Sequence, residues 1–169
     1  IGTNAYGGGN VIGQSDNYQI SFAASGGTQT IVGNFIGTTF DAGTWRDLAP
    51  VEHGIYVNGQ GGLTIGGAHT GGSGPQSINN GNYIAFHNSA TRAGIFVNDG
   101  APSIRGNFIG TNRDGADLGN VYGIHLSAGT DGVAIGSSAY GNGNVIGWSD
   151  SYQINMNSST ASAKTIQGN

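Results

Sequence analysis

The residues of this chain that could do chemistry are scattered, except in one stretch. Between Gly37 and Gly54 the sequence gathers Asp41, Trp45, Arg46, Asp47, Glu52 and His53. An indole face stacks on a sugar ring or on a partner's side chain, and a guanidinium pairs with a carboxylate. Trp45 and Arg46 are therefore candidate contacts for a glycan or a partner protein. The competing expectation is a loop folded on the flank, with Trp45 covering apolar surface and Arg46 paired to Asp47 or Glu52. Long ordered inserts on rigid scaffolds are where function concentrates. A second insert, Gly66 to Gly81, contains Pro75 and offers His69 as its one titratable group. The run from Asn112 to Asn120 carries oxygen ligands, but it lacks the alternating acids and the terminal bidentate glutamate of a calcium loop. Its Asp114-Gly115 pair reads as a turn. Asn157-Ser158-Ser159 is a sequon for a secretory pathway. No cofactor is expected from any of these groups.

The elements that must position these side chains announce themselves by repetition. Gly9-Asn10-Val11-Ile12, Gly33-Asn34-Phe35-Ile36, Gly81-Asn82-Tyr83-Ile84, Gly106-Asn107-Phe108-Ile109 and Gly143-Asn144-Val145-Ile146 share one motif, and Gly168-Asn169 begins a further copy. The isoleucines are spaced by 24, 48, 25 and 37 residues. The short spacing matches one turn of a wide β-solenoid, and the longer ones match that turn with loops inserted. A unit of this size cannot bury its apolar face alone, so copies must stack.

Two more anchors follow each motif. One is an Ile-x-apolar triplet: Ile20-Ser21-Phe22, Ile55-Tyr56-Val57, Ile95-Phe96-Val97, Ile124-His125-Leu126 and Ile154-Asn155-Met156. The other is a single isoleucine at 31, 65, 104, 135 and 166. Period-two alternation makes the triplets strands, with the outer residues inward and Ser21, Tyr56, Phe96, His125 and Asn155 outward. The expected fold is all-β: a right-handed parallel β-helix of about five three-strand rungs with two inserted loops, in one domain spanning 1–169. Asn10, Asn34, Asn82, Asn107, Asn144 and Asn169 then share a corner, where stacked amides satisfy one another as a ladder.

A longer repeat overlies the rungs. Residues 5–16, Ala-Tyr-Gly-Gly-Gly-Asn-Val-Ile-Gly-Gln-Ser-Asp, return as 139–150 with Asn142 for Gly8 and Trp148 for Gln14, and the offset of 134 continues through Tyr18-Gln19-Ile20 and Tyr152-Gln153-Ile154.

Composition narrows the classes. Glycine supplies 34 of 169 residues without a period of three, and charged residues make up only 8% against 36% hydrophobic. This excludes a collagen and a charged disordered chain. Five scattered basic residues within a net charge of −4 argue against nucleic-acid binding. No apolar run is long enough for membrane insertion. Cysteine is absent, so disulfides do not staple the fold. A surface of Ser, Thr, Asn and Gly points to an extracellular or cell-surface setting.

Ile65-Gly66-Gly67, Gly143-Asn144-Val145-Ile146, Gly94-Ile95 and Gly106-Asn107-Phe108-Ile109-Gly110-Thr111-Asn112 together resemble the right-handed parallel β-helix repeats of large secreted bacterial surface proteins. The resemblance implies the pectin-lyase-like architecture, which serves lyases, hydrolases, adhesins and plain scaffolds alike. Similar enzymes use clustered acids on one face. Here Asp16 and Asp150 recur at one site, but no acid falls in the outward triplet column and no Asn-Thr-Asp with Gly-His-Gly is present. The expected function is therefore non-enzymatic. The chain reads as a subunit or segment of an extracellular filament, stacking end to end through Ile1, Gly2 and Thr3 at one end and Ile166, Gly168 and Asn169 at the other. Its partners are copies of itself or adjoining repeats of a longer chain. The first alternative is a carbohydrate-binding or adhesin module that holds polysaccharide on Trp45, Arg46, Tyr56, Phe96 and His125. The second is a polysaccharide lyase or hydrolase.

Overall fold

The computed structural model describes residues 1–3, 9–23, 26–41, 44–47, 52–59, 62–68, 80–87, 92–157 and 163–169, with backbone alone at 39–41, 44–47 and 129. Among them no helix occurs, and strands build three five-stranded parallel sheets. The first sheet holds Val11–Ile12, Phe35–Ile36, Tyr83–Ile84, Phe108–Ile109 and Val145–Ile146. The second holds Ile20–Phe22, Ile55–Asn58, Ala93–Asp99, Asn120–Gly129 and Ser149–Met156. The third holds Thr28–Ile31, Gly62–Gly66, Ser103–Arg105, Ala134–Gly136 and Thr165–Gln167. The chain visits the three sheets in turn five times, so each visit is one rung of a parallel β-solenoid. Rungs are numbered 1 to 5 in chain order.

The register follows the isoleucines. Ile20, Ile55, Ile95, Ile124 and Ile154 are consecutive Cα partners, as are Phe22, Val57, Val97, Leu126 and Met156. The same holds for Ile12, Ile36, Ile84, Ile109 and Ile146 and for Ile31, Ile65, Ile104, Ile135 and Ile166. In rungs 2 to 4 these side chains are fully enclosed in a single core. A one-residue slip of any strand would turn its isoleucine to solvent, so burial fixes the register.

The corner between third and first sheets is closed by the amides. Nδ2 of each asparagine donates to Oδ1 of the next: Asn10 to Asn34 at 2.9 Å, Asn34 to Asn82 at 3.0 Å, Asn82 to Asn107 at 2.8 Å, Asn107 to Asn144 at 2.9 Å and Asn144 to Asn169 at 2.9 Å. Each Oδ1 accepts a second bond from the preceding asparagine's main-chain N–H, at 3.0 to 3.2 Å. The ladder therefore satisfies buried main-chain donors that no strand pairing reaches. The glycine before the asparagine has a steric reason. A Cβ on Gly9 would run into the Gly33 carbonyl of the next rung, and one on Gly143 into that of Gly168.

The insert from Gly37 to Gly54 differs from the expected loop. Thr38–Asp41 and Thr44–Asp47 pair antiparallel as a small separate sheet, with Phe40 opposite Trp45 and Thr39 opposite Arg46. Threonines and aromatics at these positions favour extended backbone.

Candidate functional site

Two features carry the site: an aromatic face on the second sheet, and the end rungs. The outward column of the second sheet runs Ser21, Tyr56, Phe96, His125, Asn155, as the alternation requires. A second file of rings lies beside it, from residues two positions before the inward isoleucines: Tyr18, His53, Tyr122 and Tyr152. Together they interleave. Tyr18 stacks on Tyr56 at 4.3 Å and on His53 at 5.9 Å, and His53 stacks on Phe96 at 4.5 Å. Tyr56 lies 5.7 Å from Phe96, and Tyr122 stacks on Tyr152 at 6.1 Å. His125 departs from the expected stack: its ring stands at 75° to Phe96 and 71° to Tyr122 and joins the two groups edge-on.

This geometry decides what the face offers. The rings of Tyr18, Tyr56, His53 and Phe96 are nearly parallel and cover one another's inner faces. Stacking on a sugar requires an open ring face, so these rings contribute chiefly to cohesion between rungs, about 0.5–1.5 kcal/mol per pair beyond area burial. The Tyr152 ring, at the end of the file, is the most exposed of the set.

Two histidines sit against this face in a dry setting. Nδ1 of His53 accepts from the Ala93 main-chain N–H at 3.0 Å, which keeps the neutral imidazole's proton on Nε2. Burial lowers its pKa to about 4, with His125 and Arg92 adding repulsion. His87 is buried, with Nδ1 at 3.2 Å from Asn120 Oδ1, which also accepts from the His87 main-chain N–H at 2.9 Å. Its Nε2 has no partner among the described residues, and burial takes its pKa down to about 3. Burial also lowers the pKa of His125. An acid–base histidine needs a reachable substrate proton and a pKa near the working pH. Values this low do not suit His53 or His87 for that role near neutral pH.

The two recurring carboxylates, Asp16 and Asp150, do not converge. Asp16 belongs to rung 1 and Asp150 to rung 5, four strand spacings or about 19 Å apart along the axis. Glycosidase pairs sit within roughly 5–10 Å. Among the described residues no three His, Asp or Glu side chains gather as a metal site. In the 112–120 segment the oxygens close turns: Asn112 Oδ1 accepts from the N–H groups of Asp114 at 3.0 Å and Ala116 at 2.9 Å, and Asp117 Oδ1 accepts from that of Gly119 at 3.1 Å. The segment returns to the first sheet through Leu118, whose N–H bonds the Gly110 carbonyl at 3.1 Å. Nearby, Tyr83 and Phe108 stack at 5.0 Å as a buried pair, and burial pushes the Tyr83 hydroxyl up to about 12.

Of the expected contact residues, Tyr56, Phe96 and His125 come together on one face. The side chains of Trp45 and Arg46 lie outside the described residues, as do His69, Pro75, Ser158 and Ser159. The proposed stacking residues sit on the end rungs. Ile1 donates its terminal ammonium to the Thr30 carbonyl at 2.7 Å and accepts from the Val32 N–H at 3.0 Å, beside rung 1 in the third sheet. Ile166 pairs with Ile135, and Asn169 continues the ladder. The second ring file and the buried His87 were not anticipated, although rings two residues before four of the five inward isoleucines, Ile20, Ile55, Ile124 and Ile154, were a usable signal. No protein-family model, no curated protein and no solved structure matches the chain.

Proposed function

We propose that this chain is a structural β-solenoid segment, continued end to end into an extracellular or cell-surface fibre by copies of itself or by adjoining repeats. The observation that carries this reading is the polarity and apolar character of the end rungs. All five ladder bonds run the same way, from Asn10 as donor to Asn169 as acceptor, and Asn169 Nδ2 donates back to the Ile135 and Gln167 carbonyls, so the two end rungs differ in polarity. The large exposed apolar side chains concentrate in the same rungs: Val11 at 54%, Val145 at 49%, Met156 at 52% and Ile166 at 42% exposed. Their counterparts in rungs 2 to 4 are largely buried. An end rung of this kind is a template for further parallel pairing. Head-to-tail pairing does not close, so it propagates. The low charge and the resemblance to secreted β-helix repeats support the extracellular setting.

The reading is non-enzymatic, in keeping with Asp16 and Asp150 standing at opposite ends of the described rungs and with His53 and His87 held neutral. Negative-stain microscopy of concentrated protein tests it: fibres one solenoid wide are expected, and uniformly dispersed single particles contradict it. The aromatic face favours a second reading, an adhesin-type module holding polysaccharide near His125, Tyr122 and Tyr152, where ring stacking is least complete. A glycan array with Tyr152→Ala as control separates the two.

A further inference from the structure

We propose that Tyr18 and Tyr56 are the site of an oxidative staple: a peroxide-driven one-electron oxidant joins their rings by a carbon–carbon bond and locks rung 1 to rung 2. The staple forms within one copy, whether or not copies stack.

Six of the seven tyrosines are described, and their surroundings differ. Tyr83 is fully enclosed and stacks between Phe35 at 5.5 Å and Phe108 at 5.0 Å. Tyr140 stands 94% exposed on a corner. Tyr122 and Tyr152 are parallel but 6.1 Å apart. Tyr18 and Tyr56 are the close pair, with centroids 4.3 Å apart and planes within 8°. Both are half-buried, so a diffusing oxidant reaches rings that the fold already holds together.

The pair follows from the register. Ile20 pairs with Ile55 and Ser21 with Tyr56. Ser21 is small and leaves room beside Tyr56, and the Tyr18 ring leans across into it, closer to Tyr56 than to His53 at 5.9 Å. The other ring against Tyr56 in the outward column is Phe96, at 5.7 Å, which has no phenol. Tyr18 is therefore the phenolic partner that Tyr56 meets. Burial raises the pKa of Tyr18, with Tyr56 and Glu52 adding to it, so Tyr18 is a neutral phenol at pH 7 and releases a proton with its electron.

The chemistry balances. Each phenol gives one electron to the oxidant and one proton to water, which leaves a phenoxyl radical with spin on its ortho carbons. The two radicals combine in a bond between ortho carbons as the rings turn about χ1 and χ2. The ortho hydrogens then pass to the oxygens, and both rings regain aromaticity. Two electrons and two protons leave in all, and one hydrogen peroxide takes them up as two waters. The new bond closes a loop from residue 18 to residue 56, with the hairpin Thr38–Asp41 and Thr44–Asp47 inside it. The chain has no cysteine to make such a closure. A covalent loop of this length restricts the unfolded chain, as a disulfide does.

Dilute protein treated with a peroxidase and hydrogen peroxide, then digested with trypsin, tests the staple. Cleavage after Arg46 and Arg92 places Tyr18 in peptide 1–46 and Tyr56 in peptide 47–92. The expected product is these two peptides joined, at their summed mass less two hydrogens, with dityrosine fluorescence. It should vanish in Tyr18→Phe and in Tyr56→Phe, persist in Tyr6→Phe, and fall when oxidation is run in denaturing urea. Oxidised wild type should also unfold at a higher urea midpoint than oxidised Tyr18→Phe. A joined product that survives Tyr18→Phe overturns the proposal, as does coupling confined to Tyr140 or to links between copies. Equal urea midpoints for the stapled protein and oxidised Tyr18→Phe overturn the lock between rungs.

Discussion

Asn144 donates its main-chain N–H and its Nδ2 to Oδ1 of Asn169, at 3.0 and 2.9 Å, and so holds it as Asn10 holds Asn34 at 3.2 and 2.9 Å. The ladder thus carries its period to the last residue of the chain. Aligned amides in a dry corner polarise one another, which strengthens each bond and fixes a direction along the axis. Cohesion between rungs and the polarity of the ladder come from the same six side chains.

The middle of the ladder should be its most costly place to break. Asn107→Ala removes the acceptor of two Asn82 donors and the Nδ2 bonded to the Ile65 carbonyl and to Asn144. Each buried group left unpaired costs about 1–3 kcal/mol. Urea titration should show a clearly lowered midpoint for Asn107→Ala and a much smaller change for the exposed Asn10→Ala. Equal changes at both positions would refute a role centred on burial.

Ile95 is fully enclosed between Ile55 and Ile124. Ile95→Ala should cost about 2–5 kcal/mol through the cavity it leaves. Ile95→Asp places an unpaired charge there and should abolish cooperative folding. Near-native thermal unfolding of Ile95→Asp would place the core elsewhere.

Acid should weaken the fold through its buried histidines. His87 and His53 titrate near 3 and 4 when folded, below the ordinary value of 6.5. In the window between, the unfolded chain binds protons that the folded chain refuses. Stability is thus fully present above about pH 6.5 and falls as pH drops toward 4, by about 1.4 kcal/mol per pH unit for the buried His87. Denaturation series from pH 7 to 4 should show this slope, and His87→Gln should flatten it. An unchanged slope in that variant would assign the dependence to other groups.

No turnover is expected on acidic polysaccharides. Product formation that is lost in Asp16→Asn or Asp150→Asn would contradict the non-enzymatic reading. On a glycan array the chain should stay silent, and Tyr56→Ala should act on stability instead, by removing its stacks on Tyr18 and Phe96.

The rungs were legible because the same apolar spacing returns at every turn: Ile20, Ile55, Ile95, Ile124 and Ile154 fall on one column with no slip. The ladder was legible because Gly-Asn precedes each first strand. The hairpin Thr38–Asp41 with Thr44–Asp47 was not, since its pairing is local and carries no repeat to compare. His87 was missed for a related reason. Its burial depends on Asn120, 33 residues away, and not on any neighbour in sequence. The orientation of His125 depends on the rings above and below it, which alternation does not encode.

The central claim is that the end rungs are built to be continued. Electron microscopy with fibre diffraction on concentrated protein of residues 1–169 tests it most directly. The account predicts unbranched fibres with a reflection at about 4.8 Å along the fibre axis. Particles that stay dispersed at 17.0 kDa at the highest concentration reached, with no axial reflection, would contradict it.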